Sequence, residues 1–168
     1  MTARRHPAGA GAVPMIVVEP TGLAHLPLLA ALHGRCFTPA WSEATIASLL
    51  ALPGSFGVIA TLLDNGAARP TGFALARVAA DEAELLSIGV VPDAERRGIA
   101  RRLVAACVER VAGAGATALF LEVGEANQAA RALYDGLGFQ MIGRRHHYYR
   151  TAAGGFEDAL VMRRDLVA

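Results

Sequence analysis

Asn65-Gly66 is the dipeptide that most restricts how this chain can fold. It lies between two apolar runs, SFGVIATLLD at 55–64 and PTGFALARVA at 70–79. Asn and Gly both tolerate positive φ, and a tight turn built from them has the twist that joins antiparallel strands. The segment NGAARP is therefore read as a hairpin turn. A third run, EAELLSIGVV at 82–91, is apolar enough for a central strand and stops at Pro92, which has no N–H to give to a ladder. Strands in such close succession demand a sheet, and the rest of the chain must cover its faces.

The remaining elements follow from periodicity and caps. MIVVE (15–19) reads as a strand, and 21–37 as a helix with Leu26, Leu29, Ala30 and His33 at helical spacing. Ser42 is a good N-cap for a second helix, with Trp41 and Ile46 placed as a hydrophobic staple. After Pro92 a helix carries Ala100, Leu103, Val104, Cys107, Val108 and Val111 on one stripe, and GAGA ends it. TALFLEV is a strand, and NQAARALYDGLGF is a helix capped by Asn127 and closed by Gly136 or Gly138. FQMIGRRHHYY and FEDALVMRRDL read as a final antiparallel pair. The order β-α-α-β-β-β-α-β-α-β-β is a mixed α/β arrangement with helices on the faces of one sheet.

Composition narrows the functions open to such a fold. The chain has 168 residues, a size that suits one domain with a real core, and 54% of them are hydrophobic. A formal net charge of +1 argues against a protein that coats nucleic acid, so no direct nucleic-acid partner is expected. Every basic residue apart from histidine is arginine, so Schiff-base lysine chemistry is excluded. Cys36 and Cys107 are far apart and lack metal-ligand spacing, and Cys107 falls on an apolar helix face as a core thiol. His25, His33, His146 and His147 have no ligand spacing and read as structural or exposed; no metal is expected. No run is long enough to span a bilayer, and the start MTARRHPAGAGAVP makes a poor signal peptide. Residues 1–14 are read as a flexible leader, with Met15 as an alternative start, before a single domain over 15–168; the cytoplasm is the expected compartment.

VVPDAERRGIARRLV, residues 90–104, concentrates charge where a strand hands over to a helix. The first amides of a helix are unpaired, and with the helix dipole they form an anion site suited to phosphate. Gly98 lets a ligand approach the backbone, and Arg96, Arg97, Arg101 and Arg102 put positive charge around the rim. The stretch lacks both the Gly-Lys-Ser/Thr of a nucleotide loop and the spaced glycines of a dinucleotide fingerprint. By itself it also fits a surface helix with solvated arginines.

Glu95-Arg96-Arg97-Gly98-Ile99-Ala100 resembles the cofactor loop of the GNAT superfamily of acetyltransferases, whose pattern is Gln/Arg-x-x-Gly-x-Gly/Ala. Glu95 departs from it by placing a carboxylate where that family has a neutral or basic group. LFLEVGEANQAARALYDGLGF (119–139), RRHHYYR, EDALVMRRDL and FTPAWSEATIASLL resemble the RimI-like branch, which acetylates the N-terminal alanine of a small-subunit ribosomal protein. The resemblance covers residues 15–166. It implies a GNAT-like domain whose mixed, mostly antiparallel sheet has about six to seven strands flanked by about four helices. It also implies acetyl-CoA as cosubstrate, Glu122 as general base and Tyr134 as general acid. Ile88, Gly89 and Val90 would hold the pantetheine arm by backbone bonds, residues 96–101 the pyrophosphate, and Asn127 would contact the cofactor. The implied partner is a protein N-terminus.

That chemistry is sound on general grounds. Freeing an α-amine of pKa about 7.7–8.0 at pH 7 costs about 1 kcal/mol, against about 4 to 5 for lysine. A phenol near 10 protonating a thiolate near 8.5 is uphill by about 2 kcal/mol. Read singly, the same residues have plainer uses. Glu122 fits a solvated edge charge, Asn127 an N-cap, Tyr134 core packing, and Trp41 its staple or a peptide contact. Tyr148 and Tyr149 would alternate across a strand, leaving one to face a substrate. An enzyme acting on a lysine or a small amine, and a coenzyme-A-binding module without catalysis, stay open as alternatives.

Overall fold

The hairpin turn forms at Asn65-Gly66, with φ of 49° and 81°, between β2 (Ser55–Asp64) and β3 (Ala67–Ala79). The turn is shorter than NGAARP: residues from Ala67 through Pro70 already pair with Thr61–Asp64 of β2, and a bulge follows at Ala60/Thr61. The computed structural model describes residues 13–166, so the leader expected over 1–14 falls almost wholly outside the described residues. The other elements are β1 (Met15–Pro20), α1 (Leu26–Cys36), α2 (Glu43–Leu50), β4 (Glu82–Val90) and α3 (Ile99–Gly113). β5 (Ala118–Gly124), α4 (Gln128–Gly136), β6 (Gln140–Arg150) and β7 (Phe156–Asp165) complete the order expected from the sequence.

The strands form one seven-stranded sheet in the order β1-β2-β3-β4-β5-β7-β6. Every pairing is antiparallel except β4 with β5. That parallel pair is bonded only over Glu82–Glu84 against Ala118–Phe120. Beyond it β4 runs on to Val90 and β5 to Gly124 without bonding each other, so the sheet opens in its middle.

Which helix covers which face can be read from the glycines. A Cβ on Gly72 would meet Ile99 and Leu103 of α3, while one on Gly89 would strike Cys36 at the end of α1. Leu103, Val104, Cys107 and Val111 of α3 are fully buried against the first face, each aliphatic side chain contributing about 1.5–3 kcal/mol. Leu29 of α1 and Ile46 of α2 are equally buried. Ser42 caps α2 by accepting from the Thr45 amide at 3.1 Å, as its place in the sequence suggests. Asn127 caps α4 through the Ala130 amide at 3.1 Å, and Gly138 at φ 83° follows the end of that helix. Among the described residues no helix is long and apolar enough to cross a membrane.

Candidate active site

β4 hands over to α3 through a short 3-10 turn, Pro92–Ala94. Val91 and Ala94 are fully buried, and the Val91 amide donates to the Thr71 carbonyl at 2.9 Å, so the loop is anchored from below. Asp93 ties it sideways by accepting from Arg35 of α1 at 2.8 Å and from Arg69 of β3. Arg96 and Gly98 both take left-handed conformations, φ 61° and 80°, and Gly98 is the residue before α3. Positive φ is one reason for glycine here. The other is space: a Cβ on Gly98 would meet nothing within 4 Å, because it would project into a cavity.

That cavity holds about 450 Å³ and lies over the opening between β4 and β5. Its walls include Ile88, Gly89 and Val90 of β4, then Arg96, Gly98, Ile99, Ala100 and Arg101 at the start of α3. Asn127 and Tyr134 close it from α4. Arg97 does not line it; in this tight turn Arg96 takes the left-handed position and faces the space, while Arg97 is directed elsewhere on the surface. Glu95, the departure from the family pattern, does line it. So do Cys36 and Phe37, which no local pattern in the sequence marks, because only the packing of α1 on Gly89 brings them there.

The chemistry of these walls suits an extended phosphorylated thioester such as acetyl-CoA. The first amides of α3 have no partner within the helix and face the cavity beside the Arg96 and Arg101 side chains. On its β3 side β4 is bonded through Ile88, Gly89 and Val90, and toward β5 that stretch keeps free backbone edge groups. Such an edge can bond the amides of a ligand lying along it, as an added strand would. The empty position where a Gly98 side chain would stand is the room a diphosphate needs.

Tyr134 is 5% exposed, packs edge-on against Phe139 with centroids 5.6 Å apart, and reaches the cavity wall. Burial, with a smaller push from Tyr149, raises its hydroxyl to about 12. It stays protonated across the working pH range, but it is a weaker acid than the unperturbed phenol considered from the sequence.

Glu122 lines a different cavity. Arg77 shares its sheet face with Phe73 and pairs with Glu84, which pairs with Phe120; Glu122, two residues on, therefore points to the face covered by α1. It lines a second cavity of about 290 Å³ with Arg77, Glu82, Glu84 and Arg145, and Arg145 Nε forms an ion pair with its Oε1 at 2.7 Å. Glu122 and Tyr134 thus line two different cavities, both reaching the region where β4 and β5 part.

Tyr149, between them, is the residue that sequence reading undervalued. Its hydroxyl is raised by burial first and then by the Glu122 carboxylate, and it in turn raises Tyr134. The expected alternation of Tyr148 and Tyr149 fails because β6 bulges there. β6 goes from Arg145 to Tyr149 while β7 goes only from Ala159 to Glu157, and His147 sits at φ 54°. Both tyrosines end on the Glu122 side of the bulge, their rings edge-on with centroids 4.9 Å apart.

His33 is structural. It is 2% exposed, accepts from the Trp41 amide at 3.1 Å, and stacks on Trp41 with centroids 4.7 Å apart. Burial lowers its pKa, so it is neutral.

A family model for the acetyltransferase (GNAT) family matches residues 26–139, and the chain belongs to that family, as an N-acetyltransferase. Among its relatives, the [ribosomal protein bS18]-alanine N-acetyltransferase of Escherichia coli K12 is 37% identical over 137 residues, 82% of this chain and 88% of that one. The Salmonella typhimurium enzyme of the same name is 44% identical over 94 residues, 56% of this chain and 63% of its own length. The crystal structure of the E. coli ribosomal-protein-S18-alanine N-acetyltransferase superposes with a TM-score of 0.81 at 33% identity, covering 92% of this chain and 96% of that one. Arabidopsis thaliana NAA60, solved in complex with acetyl-CoA, shares the fold at a TM-score of 0.76 and 20% identity, covering 90% of this chain and 99% of that one.

Proposed function

We propose that this chain transfers an acetyl group from acetyl-CoA to the N-terminal α-amine of a protein, the alanine of ribosomal protein bS18, by direct attack in a ternary complex. The observation that carries the reading is the opening between β4 and β5, with a phosphate-suited cavity beside it and a carboxylate in the adjoining cavity. The similarity to the E. coli enzyme over 82% of the chain supports this choice of amine.

When bound, acetyl-CoA supplies the activated acetyl group and a thiol leaving group. The α3 amides from Gly98 to Arg101, with Arg96 and Arg101, hold its diphosphate; Ile88, Gly89 and Val90 hold its amide arm by backbone bonds. Asn127 lines the path to Tyr134. Glu122 accepts the proton that the substrate ammonium must lose to become the attacking amine, and a carboxylate is strong enough for an α-amine, which needs only about 1 kcal/mol to deprotonate at pH 7. As the new N–C bond forms and the C–S bond breaks, Tyr134 gives the departing sulfur its proton.

The test compares intact masses of ribosomal proteins from cells with and without this chain. A loss of 42 Da from bS18 in the deleted strain is the expected result. An unchanged bS18, together with faster acetylation in vitro of a lysine peptide or a polyamine than of an Ala-initial peptide, would overturn the choice of amine.

A further inference from the structure

The carboxylate that the proposed reaction needs is already engaged by a cation. Arg145 Nε forms an ion pair with Glu122 Oε1 at 2.7 Å, with the Glu122 side chain 15% exposed and that of Arg145 59% exposed. The same carboxylate holds the Tyr148 hydroxyl above its ordinary pKa, and the Arg145 guanidinium lies over the Tyr148 ring, 5.5 Å from its centroid. A guanidinium therefore occupies the ground on which an incoming ammonium would have to stand.

The backbone beneath Arg145 is held by Asp158, while its side chain is 59% exposed. Asp158 of β7 accepts from the His147 amide at 3.0 Å and from Arg144 at 3.2 Å, and bonds His146 Nδ1 at 2.9 Å. These bonds pin the bulge on both sides of Arg145 without touching its guanidinium. The head has a second seat within reach: Glu82 and Glu84 line the same cavity as Glu122. In formal charge that cavity sets Glu82, Glu84 and Glu122 against Arg77 and Arg145, an excess of one negative charge that one ammonium would balance.

We propose that Arg145 is a resident cation that competes with the substrate amine for Glu122 and yields to it by moving to Glu84, so that it sets which amines are admitted. The inference rests on the role given to Glu122 above. A charged α-ammonium can displace the guanidinium, because it replaces one cation by another at the carboxylate. A neutral head group cannot, because it would leave Glu122 without a charged partner. The energy at stake is that of a half-exposed ion pair, small enough for substrate to overcome and large enough to discriminate.

Two measurements test this. The first is the ¹⁵Nε–¹H signal of Arg145 in the full chain, titrated with an Ala-initial peptide and, separately, with its N-acetylated form, no acetyl-CoA being present. The free peptide should shift the signal and speed its exchange with water, and the acetylated peptide should leave it in place. The second is steady-state kinetics of variants. Arg145→Met should lower KM for the peptide by about two- to fivefold with kcat unchanged, and Arg145→Lys should keep the wild-type KM. Glu84→Gln, which removes the second seat, should raise KM by a similar factor. An Nε signal indifferent to the free peptide, or a Met variant that loses kcat at unaltered KM, would show Arg145 to be a positioning residue and sink the proposal. A peptide that shifts the signal but is never acetylated would instead overturn the proposed function and leave the competition standing.

Discussion

Replacing Tyr134 by Phe probes the proposed acid. In the folded chain its hydroxyl stands at about 12, against about 8.5 for an ordinary thiol, so complete proton transfer to a thiolate is uphill by roughly 3.5 pKa units, or about 5 kcal/mol. That is more than twice the cost for an unperturbed phenol, and it places Tyr134 toward the weak end of general acids. Positioned acids contribute about 10²- to 10⁴-fold, so the loss in the Phe variant should lie near 10²-fold in the chemical step. The ring remains packed on Phe139, so acetyl-CoA affinity should stay within about twofold and the fold should be intact. The assay is single-turnover thiol release with an Ala-initial peptide, run beside calorimetric titration of acetyl-CoA. The pH profile adds a second requirement. A hydroxyl raised to about 12 stays protonated to pH 9.5, so wild type and the Phe variant should show parallel profiles from pH 7 to 9.5. Unchanged turnover would remove Tyr134 from the chemistry. An alkaline limb near pH 9 in the wild type that the Phe variant lacks would show that its hydroxyl titrates far below the value its burial implies.

The other predictions concern the loop and the core. Glu95→Gln should tighten acetyl-CoA binding by up to about fivefold at low salt, since an exposed charge about 4 Å from a phosphate costs on the order of 1 kcal/mol in water; weaker binding by calorimetry would contradict the inward-facing carboxylate. Gly98→Ala and Gly115→Ala place a Cβ in open space at φ of 80° and 92°, so thermal melts should show similar destabilisation of about 1–2 kcal/mol. Gly98 lines the cavity and Gly115 does not, so Gly98→Ala alone should weaken acetyl-CoA, by tenfold or more; equal affinities would empty the cavity of its assigned ligand. Burial raises the Cys107 thiol from 9.0 to about 12, so the folded state holds its proton longer than the unfolded chain. That stability is complete below pH 9 and declines as pH rises toward 12, by about 4 kcal/mol over roughly 3 pKa units. Urea midpoints should fall over that range, and less steeply in Cys107→Val; identical slopes would show the thiol to be hydrated.

Features controlled by neighbours in the chain were legible in advance. The Asn65-Gly66 turn, the Ser42 and Asn127 caps, and the apolar stripe of α3 each depend on a few adjacent φ/ψ choices or on helical spacing, and each stands where the sequence places it. The loop before α3 was legible for the same reason, since a strand end, a glycine and a helix start occur within a few residues. The bulge in β6 was not: alternation is the right expectation for a strand, and it is overridden by Asp158, which is remote in sequence and captures the His147 amide.

The amino-acid sequence by itself determined the order of elements and a helix start fit for phosphate, because local backbone chemistry settles both; the family was legible through the resemblance of its motifs. Only the tertiary structure decided that β4 and β5 part beyond Glu84, and that Glu122 and Tyr134 line two different cavities. It also decided that Arg145 rests on the carboxylate. Those facts depend on which strands stop pairing and where a bulge turns a side chain, and long-range contacts set both.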